Sequence, residues 1–465
     1  MSVAMLAPPP VGSPVRLAKT AVDPLYFDHH PKQARYELSR KRFNVVPAGR
    51  RSGKTKVAKR RGAKMALQNT FWPDFRIAYT APTYSQVKRI YWEDLKRLFS
   101  VNNVIRDKSE TDLMIRLVNG SEIWLIGMDK PDRFEGPSYN WVFADEVANM
   151  KPDVIEQHVM PALSERLGGL DQYGVPEGRN HYFKTAQFAQ AKENQHEWEY
   201  HHWTSLEVMA IYLGEEQAEM EISRARKRMD ELTFKQEYEA DFVHFIGRAY
   251  YAFEREVHAA KRLPYDPNAP LHLGFDFNVE PGVASVIQER REQRVEDARA
   301  DATLIIGEVT IPHSSTTKRV CEKLIEKWST HRGMVYCYGD ATGGARGSAK
   351  VRGSDWDIIK AMLAPVFKGR LRFRVPRSNP LERVRVNSVN SRFSSATGQV
   401  RMYVDPVTAP DHATDFDEVM VEKEGTGKID KDSNTERTHH SDSVGYYIAK
   451  RHPIDGGYKS ENKQI

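Results

Sequence analysis

The chain has 465 residues, a formal net charge of +6 and two cysteines, Cys321 and Cys337. At roughly 150 residues per domain, this length implies two or three domains. Two thiols rule out a disulfide framework or a zinc–cysteine cluster and fit a reducing compartment, and no apolar run approaches the ~18 residues of a membrane helix.

The N-terminal stretch Met1–Arg16 is proline-broken and lacks a basic start followed by an apolar block. It reads as part of a flexible arm, residues 1–30, rather than a secretion signal. The apolar run Phe43–Val46 then leads directly into Ala48-Gly49-Arg50-Arg51-Ser52-Gly53-Lys54-Thr55. A strand followed by a glycine loop and a helix is how a chain cradles phosphates. Backbone N–H groups at the helix N-terminus face the anion, Lys54 reaches the β- and γ-phosphates, and the Thr55 hydroxyl takes Mg²⁺. Gly49, Arg51, Ser52, Gly53, Lys54 and Thr55 are therefore expected to bind ATP. The usual spacing would put glycine at Ala48; here it comes one residue later, at Gly49. Gln33, upstream of the strand, carries an amide suited to adenine's edge.

Strand-like runs at Phe75–Thr80, Ile123–Ile126 and Trp141–Ala144 predict an α/β core with a mostly parallel sheet over residues 31–205. Trp141–Ala144 is apolar on both faces and ends in Asp145-Glu146. Asp145 is expected to hold the Thr55-bound Mg²⁺ through water, and Glu146 to polarise the attacking water. Residues 206–267, with the charged pattern Glu215–Leu232, predict a small helical lid and linker.

A second strand series begins at Leu271. Leu271, Leu273, Phe275 and Phe277 share one face, and His272, Gly274 and Asp276 the other. Gln288–Asp301 reads as a solvated hairpin tip, and Thr303–Ile311, Met334–Gly339 and Met402–Val404 as further strands. Asp276, set between two phenylalanines, would be costly to bury without cations. Two-metal phosphodiester cleavage needs acids converging from separate elements, so that Mg²⁺ or Mn²⁺ ions ~4 Å apart can share them. Asp276, Asp340 in Tyr338-Gly339-Asp340-Ala341-Thr342-Gly343, and Asp442 in His440-Ser441-Asp442-Ser443 are the candidates, with Glu308 as a fourth. Lys368, Arg370, Arg372 and Arg374 alternate around Leu371 and Phe373. They are expected to form one basic strand face, continued by Arg377, Arg383, Arg385 and Arg392, that meets DNA phosphates without reading bases. The histidine pairs at 29–30, 201–202 and 439–440 lack metal-ligand spacing, and only His440, beside Asp442, is singled out.

Ala48–Thr55, Ala81–Gln86, Arg133–Gly136, Trp141–Met150 and Val175–Asn180 follow one another in a pattern that resembles the large terminase subunit of tailed bacteriophages. The resemblance spans roughly residues 31–450. It implies a P-loop ATPase domain (31–205), a helical lid and linker (206–267), a ribonuclease H-like α/β nuclease domain (268–452) and a tail (453–465). It further implies a motor that hydrolyses ATP to drive double-stranded DNA into a procapsid, and a metal-dependent endonuclease that cuts concatemeric DNA. Expected partners are DNA, the portal protein of the procapsid, the small terminase subunit and further copies in a ring, in the host cytoplasm and away from membranes. Arg50 or Arg51 would be the arginine inside the phosphate loop, and Arg133 a charge supplied to a neighbouring subunit's ATP. The order strand, strand, C-terminal helix for Asp276, Asp340 and Asp442 is that of ribonuclease H-like nucleases. Val175 stands where the family commonly has Ser or Thr before the proline, so no hydroxyl is offered to phosphate there. A repair helicase fused to a nuclease is the nearest enzyme alternative, but residues 251–452 offer carboxylates on strands instead of a second motor lobe. A capsid-assembly adaptor with vestigial sites is the other.

Overall fold

The computed structural model describes residues 30–454, apart from 102, 278–279, 293–299, 342–353, 423–424, 426 and 432–436. The N-terminal arm up to residue 29, the tail from 455, residues 293–299 and Thr342-Gly343 therefore lie outside the described residues; of the expected hairpin tip Gln288–Asp301, residues 288–292 and 300–301 are strand, and Gln288 is buried. The chain forms two compact units: one of residues up to 175 with 184–215, the other of 176–183 with 216 onward. The segment 206–267 is thus divided between them, its first helix, Ser205–Leu213, grouping with the first unit.

The first unit is built on eight strands: β1 (Phe43–Pro47), β2 (Arg76–Ala81), β3 (Ile105–Ser109), β4 (Met114–Leu117), β5 (Glu122–Gly127), β6 (Trp141–Asp145), β7 (Gly169–Gly174) and β8 (Trp198–Tyr200). Their order is β3-β4-β5-β2-β6-β7-β1-β8. From β5 to β8 neighbours run parallel, and β3 and β4 add an antiparallel edge. The apolar runs of β1, β2 and β6 are buried along almost their whole length, as strands covered on both faces must be. β7, read Gly-Leu-Asp-Gln-Tyr-Gly, carries no such signal. It is accommodated because Asp171 pairs with Arg61 at 2.9 Å and accepts hydrogen bonds from Tyr36 and Asn44 at 2.8 and 2.7 Å, so a buried carboxylate is fully partnered.

The second unit has β9 (Leu271–Asp276), β10 (Gly282–Glu292), β11 (Ala300–Ile311), β12 (Val335–Gly339), β13 (Leu371–Phe373) and β14 (Met402–Val404) in the order β13-β12-β9-β10-β11-β14. As the alternation predicts, Leu271, Leu273 and Phe275 enter a core with Trp356, Ile359 and Leu363. The opposite face carries the helices Glu382–Phe393 and His439–Arg451, whose Val386, Val389, Val444 and Tyr447 form a second core. The closing helix His439–Arg451 lies against β9 at Gly274, where an added Cβ would come 2.5 Å from the Ser443 carbonyl oxygen.

The expected basic strand face is short: Lys368, Arg372 and Arg374 are exposed, while Arg385 and Arg392 are buried. Lys368–Arg370 is a 3₁₀ turn and the strand proper spans only Leu371–Phe373. Arg370 donates to the His331 and Gly333 carbonyls, Arg372 to those of Gly369 and Leu371, and Arg374 lies over the Tyr336 ring. Further on, Arg383 pairs with Glu177 at 3.1 Å, Arg385 is buried against Asp442, and Arg392 is buried against the Asp301 and Arg401 carbonyls. Alternation of charge marked residues that tie loops together, because guanidinium groups satisfy several carbonyls at once.

Gly274→Ala is expected to lose about 1–3 kcal/mol by overpacking against the Ser443 backbone. Chemical denaturation measures this, and a change below about 0.5 kcal/mol, the range of an ordinary surface substitution, would contradict the close approach of helix and strand.

Candidate functional site

In the first unit the loop after β1 is held from outside by its carbonyls. Arg50 O accepts from Ser205 Oγ at 2.7 Å, Arg51 O from Tyr212 at 3.1 Å, and Ser52 O from Gln33 Nε2 at 2.8 Å and Trp203 Nε1 at 3.1 Å. Gly49 N donates to Trp203 O at 3.1 Å. The loop turns through positive φ at Arg51 (58°) and Gly53 (74°), but at neither Ala48 nor Gly49. The displaced glycine is therefore tolerated, since the conformation that needs glycine falls on Gly53. The helix Lys54–Gln68 then begins with no side-chain cap and no acid in its first turn. Its positive end is thus left for an anion.

Two carboxylates meet this loop from the end of β6. Thr55 Oγ1 donates to Asp145 Oδ2 at 3.2 Å, and the Tyr91 hydroxyl to the same oxygen at 2.9 Å. Asp145 Oδ1 is buried and has no hydrogen-bond partner among the described residues. Burial, then the neighbouring Glu146, pushes the Asp145 carboxyl up to about 7, against the pull of Lys54, Tyr91 and Thr55. A buried oxygen with nothing to bind, beside a threonine hydroxyl, fits a hydrated divalent cation. Glu146 sits in the left-handed region (φ 56°, ψ 43°), and its carboxylate lies 3.4 Å from Lys54 Nζ. The structure thus joins Lys54, Thr55, Asp145 and Glu146.

Gln33 is buried, with Oε1 accepting from His30 N at 3.1 Å and Nε2 holding the loop. Its amide braces the phosphate loop. Arg50 is half-buried and Arg51 exposed. Arg133, exposed on the turn Pro131–Phe134, lies 5.3 Å over the Tyr84 ring, which brings two of the motif segments together. The braces Trp203, Ser205 and Tyr212 and the Asp145 partner Tyr91 escaped the sequence reading. Thr204-x-x-Glu207 does mark a capped helix start, but nothing in it says that the helix faces the loop.

In the second unit, β12 pairs with β9 in the register Gly339↔Phe275, so Asp340 and Asp276 leave adjacent parallel strands at the same edge. The closing helix brings Asp442 beside them, one residue before the Ser443 that packs on Gly274. Asp340 accepts from Asn379 at 2.8 Å and from the Tyr446 hydroxyl at 3.3 Å, Asp442 pairs with Arg385 at 3.1 Å, and Asp276 lies 3.3 Å from His439 Nδ1. Burial holds the Tyr446 phenol well above its ordinary value, and Asp340, Asp276 and Asp442 all add to that rise. Burial pushes Asp442 up to about 7, with Asp276 adding to the rise and Arg385 opposing it. Three acids therefore share one edge, and Asp276 adds to the cost of charging Asp442, a donor set suited to divalent ions.

Glu308 is not the fourth member. It lies directly across from Ser285, itself across from Gly274, two strands from β9. Its oxygens accept from Asp411 N at 3.0 Å and His412 N at 3.2 Å and meet His412 Nδ1 at 2.6 Å. The histidine at the acids is His439; His440 points instead toward Glu308 and Thr310. The two are consecutive in the helix, and a sequence does not reveal which of them faces the sheet edge.

The family model described as "Terminase large subunit, T4likevirus-type, N-terminal" matches residues 46–256. A curated relative, the terminase large subunit of Escherichia phage T5, is 27% identical over 228 residues, 48% of this chain and 49% of the relative. The chain thus spans about half the length of the curated relative it matches. The large terminase of a thermophilic bacteriophage, solved in complex with ATP-γ-S, has a TM-score of 0.61 and 15% identity, covering 91% of this chain and 99% of that one. A second crystal form of the same phage protein gives 0.62 and 16% over the same shares. No helix among the described residues is long and apolar enough to cross a membrane. The sequence likeness over residues 46–256 is to large terminase subunits, and the solved structures show that the chain shares their fold over nearly its whole length.

Proposed function

We propose that this chain is the motor subunit of phage DNA packaging, an ATPase that drives double-stranded DNA into a procapsid and a nuclease that cuts the concatemer. The observation that carries this reading is that two acidic sets, each at a sheet edge, belong to two different compact units. The ATPase chemistry is assigned to residues 31–205, the nuclease to 268–452, and a lid and linker to 206–267. The thermophilic phage terminase, solved with ATP-γ-S, supports ATP as the nucleotide.

ATP phosphates lie against the loop and the helix start, where Lys54 meets the β- and γ-oxygens. Thr55, and Asp145 through water, would hold Mg²⁺, which when bound neutralises phosphate charge. In the structure Lys54 pairs with Glu146. Phosphate oxygens compete for that ammonium, and the released Glu146 carboxylate takes the proton of the attacking water. A bond forms between the water oxygen and the γ-phosphorus, the bond to the β,γ-bridging oxygen breaks, and ADP leaves. Arg50 or Arg51 offers charge from within the loop, and Arg133 offers it to the ATP of an adjacent copy in a ring on the portal. Val175 has no hydroxyl, so the coupling of hydrolysis to movement rests on other side chains. The small terminase subunit remains the expected partner for DNA selection.

At the nuclease edge Asp276, Asp340 and Asp442 would hold two Mg²⁺ or Mn²⁺ ions, which when bound activate water and stabilise the leaving oxygen. His439 orients Asp276, and Arg385 keeps Asp442 aimed along the same edge.

With purified full-length protein, plasmid and Mg²⁺ or Mn²⁺, Glu146→Gln is expected to lower ATP turnover by about 100-fold or more while cleavage persists. Asp276→Asn is expected to do the reverse. Loss of both activities in either variant contradicts the assignment, and two silent variants favour the adaptor.

Trp203→Phe keeps a ring in the buried space but removes the donor to Ser52. A KM for ATP raised severalfold with kcat little changed is expected from steady-state kinetics, and an unchanged KM would show that the brace does not shape the phosphate site.

A further inference from the structure

Glu308 on β11, His412 on the helix Pro410–Glu418 and His440 on the closing helix are all buried, and one ligand atom from each lies within 4.8 Å of the others. Glu308 Oε2 is 2.6 Å from His412 Nδ1 and 3.9 Å from His440 Nδ1. Counting protons shows what the pocket lacks. The Ser443 hydroxyl donates to His440 O at 2.7 Å, so its oxygen accepts from Ser285. Ser285 Oγ therefore accepts from His412, whose Nε2 lies 2.6 Å away and must carry the proton. On the other ring, the Thr310 hydroxyl donates to Asp411 at 2.8 Å, so it accepts from His440 Nε2 at 3.2 Å. With only those protons, both imidazoles aim bare Nδ1 lone pairs at one carboxylate oxygen.

Such an arrangement suits a cation. A proton on His412 Nδ1 satisfies the 2.6 Å contact but leaves His440, which is 4% exposed and whose Nδ1 has no partner among the described residues. One divalent ion satisfies all three. We propose that Glu308, His412 and His440 form a further metal site, of the zinc class, separate from the three aspartates. Two imidazole nitrogens and a carboxylate suit that ion, whose bonds of about 2.0–2.2 Å place tetrahedral ligands roughly 3.3–3.6 Å apart. The observed separations bracket this range. The hydrogen bonds from the far ring nitrogens to Ser285 and Thr310, and from two backbone N–H groups to Glu308, are the outer contacts that orient metal ligands. The site would fasten two helices to β11 and set the position of Asp442, two residues beyond His440.

Full-length protein, stripped with chelator, reloaded with Zn²⁺ and dialysed, is analysed for retained metal by mass spectrometry. Co²⁺ loading reads the coordination by its visible absorption. Wild type and Asp276→Asn are expected to keep zinc, to show the intense bands of tetrahedral cobalt, and to melt at higher temperature with zinc than without. His440→Ala and the near-isosteric Glu308→Gln, with folding checked by circular dichroism, are expected to lose the metal and the bands. No retained zinc in wild type overturns the proposal. So does loss in Asp276→Asn, which would place the ion at the aspartates, or retention in both site variants.

Discussion

Carboxylates are expensive to take out of water, and this chain gathers them at strand ends closely enough that one raises the pKa of the next. The contrast within the first unit is direct. Asp171 is fully buried and held by Arg61, Tyr36 and Asn44, a closed arrangement that fastens β7 to β1. Asp145, equally buried, keeps one oxygen without a hydrogen-bond partner among the described residues, beside Thr55. The first is a fold element. The second leaves an oxygen open to a cation, as the proposed Mg²⁺ site needs.

The second unit repeats the constraint with different parts. Parallel register places Asp276 and Asp340 side by side, and a glycine-permitted approach of the closing helix adds Asp442. Arg385 and His439 offset part of the charge. Burial raises Asp442 toward neutrality even beside Arg385, so the protein's own cations do not fully offset its charge. Precision comes from outside the reacting groups in both units: Trp203, Ser205 and Tyr212 hold the loop by its carbonyls or backbone, and Gly274 lets helix meet strand.

Much of this was legible before any coordinates. Strands β1, β2, β5, β6, β9, β11, β12 and β14 announce themselves by apolar runs or alternation, and the acids at their ends by position. β7 did not, because its stability lies in side-chain partners brought from residues 36, 44 and 61. In the basic stretch 368–392, charge alone does not tell which side chains stay exposed, as Lys368, Arg372 and Arg374 do, and which are buried, as Arg385 and Arg392 are. Glu308 resembles a nuclease ligand in sequence because a carboxylate on a strand carries no mark of which neighbours the helices will bring. Those neighbours proved to be His412 and His440. The missing glycine at Ala48 looked like a defect in sequence, whereas the backbone asks for positive φ only later, at Arg51 and Gly53.

The central claim is that the buried acids at each sheet edge exist to hold divalent ions. Anomalous diffraction from crystals of the full chain grown with Mn²⁺ and ATP-γ-S tests it most directly. The account predicts manganese bridging Asp276, Asp340 and Asp442, as a pair about 4 Å apart, and a separate manganese at Thr55 beside Asp145. Manganese bound elsewhere, with those three carboxylates instead neutralised by lysine or arginine side chains, would contradict it.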